Sequence, residues 1–270
     1  MRDKISACIT CMNEEDNIRR CLESVRWCDE IVVVDSFSTD RTVDICKKYT
    51  ERVYQHEWLG YIGQKNLIRG MASHPWVLFL DADEEVSPGL RDEILRELAR
   101  PDNSYAGYRF PRKVYYLYKW ICHGEWYPDT KLRVFRKDKG HSEGREPHDL
   151  VIVDGPVKTL NNPLHHYTYS NIRDHLASVG NFSVITAEEK FKEGTRFSYA
   201  DWLVRPPWRF FKAYFLKLGF LDGRRGFFIA AISAFAVLIK YAFLWEKELD
   251  ENHRSAATAE DGAGNPGGQD

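Results

Sequence analysis

The sequence predicts an α/β fold in which a mostly parallel sheet is covered by helices on both faces. Through the first 90 residues, strand-like apolar runs alternate with helix-like segments, at a spacing that requires right-handed crossovers between parallel strands. Two of the runs, residues 31–34 and 76–80, are apolar without interruption, which is typical of strands buried on both faces. An amphipathic helical hairpin is predicted nearer the C-terminus.

The first half of the chain is predicted to contain four strands, with a helix after each of the first three. Asn13 is placed to cap the first helix, because a short polar side chain accepts one of the backbone N–H groups that a helix start leaves unbonded. The third helix is predicted at residues 64–71, and a longer helix at residues 172–192. The four strands are predicted at residues 5–11, 31–34, 52–55 and 76–80.

Length and composition narrow the class of protein. The 270 residues, 43% of them hydrophobic, suit one large domain or two small ones. The formal charge of −2 gives no reason to expect a nucleic-acid binder held by bulk electrostatics. The six cysteines show no paired metal-type spacing, so we expect reduced cysteines and a cytosolic protein. The first strand begins after four residues, which leaves no room for a signal peptide.

Polar residues follow three of the four predicted strands. The carboxyl ends of parallel strands meet at one edge of the sheet, where open α/β sheets bind ligands. Carboxylates crowded there repel one another unless a cation lies among them, and a divalent cation completed by substrate phosphates suits such a cluster. The alternative is an acidic helix start after a buried strand. The residues are Asn13, Glu14, Asp35, Ser36, Asp81, Asp83, Glu84 and Glu85.

Two common phosphate-binding patterns are missing from the sequence. No GxGxxG follows the first strand, which argues against a dinucleotide-binding fingerprint. No GxxxxGK[ST] is present, which argues against a P-loop nucleotidase.

An ordered set of short segments nevertheless resembles a known family. The set is a strand followed by NEE, then VVVDSFSTDRT, QKN, LFLDADE, YPDTKLRVFRK, PHD, HHYTY and GFLDGRRG. It resembles the family 2 glycosyltransferases with the Rossmann-like GT-A fold, and most strongly the small bacterial enzymes that add a sugar to the lipopolysaccharide core. The resemblance covers nearly the whole chain except the last twenty residues.

This resemblance implies a binding site for a nucleotide-sugar donor. Asp35 would accept hydrogen bonds from the base or ribose of the nucleotide, with Asn13, Glu14 and Ser36 nearby. UDP-glucose is the leading donor by resemblance, and other nucleotide-linked sugars stay open. The processive-synthase motif QxxRW is missing, so we expect a single sugar addition.

The resemblance also implies one metal ion, Mg²⁺ or Mn²⁺, against the diphosphate. Asp81 and Asp83 would place it there, with Asp83 as the direct ligand, and the metal would offset charge on the departing nucleotide. His166 would complete the metal shell or contact the diphosphate, although a structural histidine is the alternative. Lys65 would assist the phosphates, unless it is a surface lysine at a helix start.

An inverting transfer also requires a carboxylate that takes the proton from the acceptor hydroxyl. In the family this acid follows a histidine, and the matching residues here are His148 and Asp149. Asp149 is therefore the predicted catalytic base, although aspartate is one methylene shorter than the usual glutamate. Glu146 is the rival, and a plain loop carboxylate is the remaining alternative.

The acceptor implied by the resemblance is a lipid-linked saccharide of the lipopolysaccharide inner core. Trp120, Trp126 and Tyr127 are candidates to stack against an acceptor sugar, since sugar faces desolvate well on aromatic rings. Packing of these side chains in the core is the competing explanation.

Residues 203–249 are predicted to form a helical hairpin at the membrane surface. Pro206 and Pro207 are expected to interrupt the chain, and basic residues alternate with aromatic ones on both sides of a turn. The charge-free stretch 227–239 covers about 20 Å as a helix, short of a hydrocarbon core of about 30 Å. We therefore expect the hairpin to lie in the interface. A buried core hairpin and a span over residues 227–245 are the alternatives.

Four regions follow from these predictions. Residues 1–104 bind the nucleotide sugar, 105–200 bind the acceptor, 201–249 contact the membrane, and 250–270 form a disordered tail. The expected protein is an inverting, metal-dependent glycosyltransferase, peripheral on the cytoplasmic face of the inner membrane. A sugar nucleotidyltransferase is one rival, although it would carry a Gly-rich basic loop where this chain is acidic. A non-catalytic membrane scaffold that keeps the fold is the other.

Overall fold

The computed structural model describes residues 2–146, 148–169 and 171–263. The chain divides into two compact units, Met1–Asn171 and Ile172–Asp270. The predicted nucleotide-binding and acceptor-binding regions, with their boundary at 104/105, do not coincide with these units and stay predictions.

The first unit contains a large sheet, a separate two-stranded sheet and four α-helices among its described residues. The helices are α1 (Ile18–Ser24), α2 (Thr42–Cys46), α3 (Gly60–Met71) and α4 (Pro88–Leu98). The strands are β1 (Ile5–Cys11), β2 (Glu30–Asp35), β3 (Val53–Gln55), β4 (Trp76–Asp81), β5 (Glu84–Val86), β6 (Gly107–Tyr116), β7 (Lys119–Trp120), β8 (Asp129–Arg136), β9 (Gly140–Arg145), β10 (His148–Val153), β11 (Val157–Thr159) and β12 (Leu164–His166).

The large sheet has the order β3-β2-β1-β4-β8-β6-β12-β5, with β7 and β11 also paired to β6. Strands β3, β2, β1 and β4 are parallel, as predicted from the alternating strands and helices. Strand β8 is antiparallel to both β4 and β6, which makes the second half of the sheet mixed. Strands β9 and β10 form the separate antiparallel hairpin.

Helices cover both faces of the parallel part, which confirms the predicted α/β architecture. On one face, Ile9 of β1 belongs to a buried cluster that includes Ile18 of α1 and Ile94 of α4. On the other face, Cys8 belongs to a second cluster with Ile68 of α3. Adjacent residues of β1 thus pack in opposite directions, because side chains alternate along a strand. All six cysteines are free, as expected of reduced thiols.

The second unit contains α5 (Ile172–Lys192), α6 (Tyr199–Phe211) and α7 (Arg224–Ala263). A π-helical turn at Lys212–Leu216 and a 3₁₀ turn at Gly219–Asp222 join the last two helices. Helices α6 and α7 pack against each other as the predicted hairpin, with the rings of Phe210 and Phe227 5.6 Å apart near the turn. Among the described residues, one stretch, Arg224–Ser255, is long and apolar enough to cross a membrane by length and composition.

Two predictions for the second unit are wrong. Pro206 and Pro207 lie inside α6 rather than interrupting it. Their fixed φ is compatible with a helix, and the N–H groups that they lack remove two of its hydrogen bonds. The predicted tail, residues 250–270, is helical as far as Ala263, since adding residues to a helix already formed needs no new nucleation. Residues 264–270 lie outside the described part of the chain.

Candidate active site

The ends of β1, β2 and β4 lie side by side at one edge of the sheet. Cys11, the last residue of β1, pairs with Asp35, and its neighbour Thr10 pairs with Asp81. The parallel register thus brings together polar residues as far apart in the sequence as Thr10 and Asp81. This gathering was predicted from the strand ends alone.

The loop after β2 is fixed by buried polar side chains. Asp35 is fully buried and accepts hydrogen bonds from the backbone N–H of Ser38 (2.9 Å), from the Ser38 hydroxyl and from Gln55 Nε2 (3.1 Å). Ser36 is also buried, and its hydroxyl accepts a hydrogen bond from Gln64 Nε2 at 3.0 Å. These contacts hold the loop in one conformation at the edge of the site.

Asn13 joins the loop after β1 to the loop after β2 and does not cap α1. Its backbone N–H donates to the Ser38 hydroxyl at 2.8 Å, and its Oδ1 accepts from the backbone N–H of Thr39 at 2.8 Å. Its φ of 54° lies in the left-handed region, which asparagine tolerates better than most residues. Helix α1 begins at Ile18, with Asn17 at the N-cap position.

Glu14 faces the carboxylates at the end of β4. Burial raises the pKa of Glu14 to about 7, and the negative charges of Asp83, Asp40 and Asp81 act in the same direction. A hydrogen bond from Asn17 Nδ2 to Glu14 Oε2, 2.9 Å long, partly opposes these effects. The pKa of Glu14 therefore lies near neutral pH, which is unusual for a carboxyl group.

The acids after β4 do not begin a helix, so that alternative is wrong. Glu84 and Glu85 belong to the short strand β5, and α4 begins only at Pro88. The cap of α4 is Ser87, whose hydroxyl accepts from the backbone N–H of Leu90 at 3.2 Å.

Two arginines, the buried Arg133 and the partly buried Arg112, pair with the acids of this turn. Arg133 Nη2 lies 2.7 Å from Asp81 Oδ2 and 3.2 Å from Glu84 Oε1. Arg112 Nη1 lies 3.4 Å from Glu84 Oε1, and its Nη2 lies 2.7 Å from Asp129 Oδ2. Burial alone would raise the pKa of Asp81, but the charges of Lys65, Arg133 and Arg112 hold it well below its usual range. Asp81 is therefore ionised at neutral pH.

Asp83 pairs with His166, and these two residues are the predicted metal ligands. Asp83 Oδ2 lies 3.0 Å from His166 Nε2, because β12 pairs with β5 and places His166 opposite Glu84. Burial would raise the pKa of Asp83, whereas the contact with His166 lowers it. Within residues 2–146, 148–169 and 171–263, no group of three or more His, Cys, Asp or Glu side chains is arranged to hold a metal ion. The two donors alone would leave most of a coordination shell to a substrate and water.

Lys65 connects the acidic turn to Asp149. Its Nζ lies 3.3 Å from Asp81 Oδ1 and 2.9 Å from Asp149 Oδ2. Lys65 is only 3% exposed, so the alternative of a surface lysine at a helix start is wrong. Asp149, on β10, is thus held beside the end of β4, 68 positions away in the sequence.

Glu146, the rival for the catalytic base, binds the N-terminus of α3. Its two carboxylate oxygens accept hydrogen bonds from the backbone N–H groups of Tyr61 (3.0 Å) and Ile62 (3.1 Å). Those amides lie in the first turn of the helix, where N–H groups have no partner within the helix and favour negative charge. This carboxylate caps a helix, which makes it a weaker candidate for the base than Asp149. The side chain of His148 lies outside the described part of the structure.

The aromatic candidates for acceptor binding fall into two clusters. Trp126 packs against Tyr116 and Tyr169, with ring centroids 5.2 and 6.0 Å away. Trp120 packs against His165, with centroids 4.3 Å apart. Val114 of β6 pairs with His166, and side chains alternate along a strand, so Tyr116 lies on the same side of the sheet as His166. Of the two tryptophans, Trp126 is thus the one on the side of the Asp83–His166 pair.

Comparison with known sequences shows the family of this chain. Residues 6–152 match the family described as glycosyl transferase family 2. The chain belongs to that family. This enzyme is 33% identical over 259 residues to an uncharacterized glycosyltransferase of Rickettsia typhi, covering 91% of this chain and 88% of the relative. It is 29% identical over 256 residues to the lipopolysaccharide core biosynthesis glycosyltransferase LpsC of Rhizobium meliloti, covering 92% and 93% of the two chains.

Solved structures that resemble the glycosyltransferase include residues 1–349 of S. aureus TarS in complex with UDP, with a TM-score of 0.47, 15% identity and 92% coverage of both chains. The family resemblance predicted from the ordered motifs is confirmed by the sequence matches. The roles of individual residues stay predictions.

Two residues of the glycosyltransferase site, Arg112 and Arg133, were not predicted. The available signal was a charged residue in an otherwise apolar strand segment, since Arg133 lies between Leu132 and Val134 in β8. Arginine inside a sheet is rarely buried without a carboxylate partner. That rule could have linked β8 to the acids after β4.

Proposed function

We propose that the enzyme transfers one sugar, with inversion, from a nucleotide-diphospho-sugar such as UDP-glucose to a lipid-linked saccharide. The observation that supports this most directly is the contact of Lys65 with both Asp81 and Asp149. This contact brings the candidate base close to the carboxylates that would hold a diphosphate through a metal ion. A donor and an acceptor could meet there.

In the proposed reaction, Asp149 removes the proton from an acceptor hydroxyl. The acceptor oxygen forms a bond to the anomeric carbon while the bond from that carbon to the diphosphate oxygen breaks, and its electron pair leaves with the nucleotide. The proton ends on Asp149. A carboxylate held on a strand and bonded to a buried lysine is suited to this role, because its position is fixed before the acceptor binds.

Asp83 and His166 would hold Mg²⁺ or Mn²⁺ in this enzyme. A carboxylate oxygen and an imidazole nitrogen that already face one another at 3.0 Å fit the role of a partial ligand set. Such ions are commonly bound by few protein groups and completed by substrate phosphates. The metal would neutralise charge on the departing diphosphate.

Asn13, Glu14, Asp35 and Ser36 would form the nucleotide side of the site. Asn13 and Asp35 join the loops after β1 and β2, because both residues bond to Ser38 and Asn13 also bonds to Thr39. A rigid rim costs less ordering entropy when a nucleotide binds. We assign the base and ribose to this rim, and Asp81 would help to place the metal ion against the diphosphate.

The acceptor assigned here is a saccharide of the lipopolysaccharide core. The name of the Rhizobium meliloti relative supports this acceptor class, since that relative covers nearly the whole chain. Trp126 offers an aromatic face on the same side as the Asp83–His166 pair, which suits an apolar sugar face.

The second unit would hold the enzyme on the cytoplasmic face of the inner membrane. Large apolar side chains on α6 and the following turn are exposed, among them Trp208 (55%), Phe211 (43%) and Phe215 (49%). Basic residues occur in the same segment, including Arg209 and Lys212. Exposed aromatics beside basic residues suit an anionic membrane interface.

A panel of nucleotide sugars, tested by thermal shift with and without Mn²⁺, would identify the donor. A ligand that binds only the folded state raises the melting temperature. We expect one nucleotide class to raise it, and Mn²⁺ to increase that shift. The variant Asp83→Ala should lose the Mn²⁺-dependent part.

The same variant separates an enzyme from a non-catalytic scaffold. With the donor identified, Asp83→Ala should slow sugar transfer by roughly 100-fold or more, since even an outer-shell partner of a metal ligand is worth roughly 10- to 100-fold. Asp92→Ala, which removes an exposed carboxylate on α4, is the matched control and should transfer at the wild-type rate. Undiminished transfer by Asp83→Ala would refute the metal assignment. A wild-type protein that binds donor but transfers nothing would support the scaffold.

A further inference from the structure

Helix α3 is bonded to the β9–β10 hairpin along its whole length. The contacts recur about once per helical turn, so one face of α3 is committed to this hairpin. The hairpin carries Asp149 but lies outside the large sheet, and these bonds to α3 help to attach it to the rest of the first unit. The bonds join Tyr61 and Ile62 to Glu146, Lys65 to Asp149, Asn66 to Ser142, and Arg69 to the Gly140 carbonyl.

Among these attachments, Lys65 differs because it also reaches the large sheet. Its ammonium lies between Asp149 of the hairpin and Asp81 at the end of β4. A buried ammonium is costly unless carboxylates compensate it, and here two of them do. Lysine can serve both because its ammonium carries three donors on a flexible stem.

Asp81 does not depend on Lys65 alone. Its other oxygen, Oδ2, is held by Arg133 at 2.7 Å, and Arg133 is itself fixed by Glu84 at 3.2 Å. The end of β4 is thus a rigid anchor. Lys65 contacts both this anchor and Asp149, so it fixes the side chain of Asp149 relative to the end of β4.

We propose that Lys65 is a positioning residue for the transfer reaction, which fixes Asp149 through Oδ2 so that Oδ1 meets the acceptor hydroxyl at a set distance from the donor. This proposal rests on the proposed function, in which Asp149 is the base. In this role the Lys65 ammonium acts through the side chain of Asp149, whereas a phosphate-binding lysine would contact the donor directly. A catalytic group displaced by about 1 Å can cost about 100-fold in rate.

The two roles of Lys65 predict opposite effects on substrate binding and turnover. If Lys65 positions Asp149, its replacement lowers kcat and leaves the affinity for the nucleotide nearly unchanged. If Lys65 binds the phosphates of the donor, its replacement weakens nucleotide binding. The affinity is measured by calorimetric titration of UDP in the presence of Mn²⁺. Turnover is measured as the release of UDP from UDP-glucose, or of the nucleotide from the donor that the thermal-shift panel identifies.

A double-mutant cycle tests whether Lys65 acts through Asp149. We expect Lys65→Met to lower kcat about 100-fold with the Kd for UDP changed less than about threefold. The double variant with Asp149→Asn should be no slower than Asp149→Asn alone, since residues that act as a unit are not additive. Single turnovers with enzyme in excess make the slow variants measurable.

Lys137→Met is the matched control. Its ammonium binds the carbonyl oxygens of Gly70 and Ala72 at the C-terminal end of α3, so it also ties this helix down but touches no carboxylate of the site. Lys137→Met should keep the wild-type kcat. If it lowers kcat slightly, the same factor should appear again when it is combined with Asp149→Asn. If Lys65→Met does not fold, as judged by its melting transition, Lys65→Gln replaces it.

Three results would overturn the proposal. Weaker UDP binding that accounts for the whole loss in Lys65→Met would make Lys65 a phosphate ligand. A double variant slower than Asp149→Asn by the full Lys65→Met factor would show that the two residues act independently. Wild-type turnover by Asp149→Asn would instead reject the base assignment itself, and with it the proposed reaction.

Discussion

Glu14 makes the stability of the apo protein depend on pH. Its pKa is raised to about 7 from 4.5, first by burial and then by neighbouring carboxylates. Below pH 4.5 the carboxyl is protonated in both the folded and unfolded states. Between pH 4.5 and about 7 the folded state retains a proton that the unfolded state has lost, so stability falls as pH rises. At about 1.4 kcal/mol per pH unit, the loss is at most about 3 kcal/mol.

The variant Glu14→Gln removes this penalty. In EDTA at pH 8 we expect its free energy of unfolding in urea to exceed that of the wild type by up to about 3 kcal/mol. At pH 4.5 the two proteins should be equally stable. Glu15→Gln is the control, because Glu15 lies next in the chain but pairs with exposed Arg41. An equal gain at both pH values would show that the charge of Glu14 is not the cause.

The acids of the site and His166 could be predicted from the sequence, whereas the basic partners of Asp81 could not. Carboxylates that directly follow apolar strands are visible as local patterns, and parallel pairing brings them together. Lys65 and Arg133 belong to other elements, and the packing that brings them to Asp81 is not written in any local pattern. Lys65 was predicted to assist the phosphates, with a surface lysine as the alternative, and its contacts with Asp81 and Asp149 were not predicted. Its burial follows from the hairpin that packs over α3.

At the scale of elements, helix α3 receives its N-terminal cap from a distant strand. Glu146 accepts two hydrogen bonds from the first turn, although 84 positions separate it from Ile62. No sequence pattern of the capping-box type could show this cap, because those patterns involve residues only three positions apart. Because the sequence does not show this cap, it gave no reason to reject Glu146 as the catalytic base in favour of Asp149.

Conservative variants separate the helix cap from the base. Glu146→Gln should keep transfer within a few-fold of wild type and lower the free energy of unfolding by about 1 kcal/mol, as expected for a weakened cap. Asp149→Asn should fold normally and lower kcat by about 100-fold or more, as expected for loss of a general base. Turnover and urea denaturation measure the two effects. The opposite pattern, with Glu146→Gln inactive, would assign the base to Glu146.

Helix ends were harder to predict than strand positions. Residues 76–80 are fully apolar and lie in a strand, because only burial on both faces accommodates such a run. Pro206 and Pro207, in contrast, suggested a break, yet both lie inside α6. Beyond residue 250, local composition suggested disorder, yet α7 continues because the preceding turns already supply the nucleus.

At the scale of the molecule, the question for the second unit is whether α7 crosses the membrane or lies in its interface. Helix α6 packs beside the apolar part of α7, and the guanidinium of Arg205 lies 5.8 Å from the ring of Tyr241. Arg205 also pairs with Asp201 at 2.7 Å. A spanning α7 that kept this packing would carry both charges into hydrocarbon, at about 2.5–3.5 kcal/mol each by insertion scales. The packing therefore favours the interface.

Binding to vesicles provides a test of the interfacial arrangement. Replacement of Trp208, Phe211 and Phe215 by serine removes three exposed aromatic side chains from α6 and the turn after it. We expect this triple variant to lose at least about tenfold in affinity for vesicles that contain phosphatidylglycerol, since each buried aromatic contributes about 1.5–3 kcal/mol. High salt should also lower the affinity of the wild-type protein for these vesicles, because the basic residues contribute an electrostatic attraction.

The control is the double variant Leu150→Ser, Ile152→Ser, which removes exposed apolar side chains from β10 in the first unit. It should bind to vesicles like the wild type. If the triple variant stays with the membrane through high salt and alkaline carbonate, α7 spans the bilayer, and the contact between Arg205 and Tyr241 must open when it inserts.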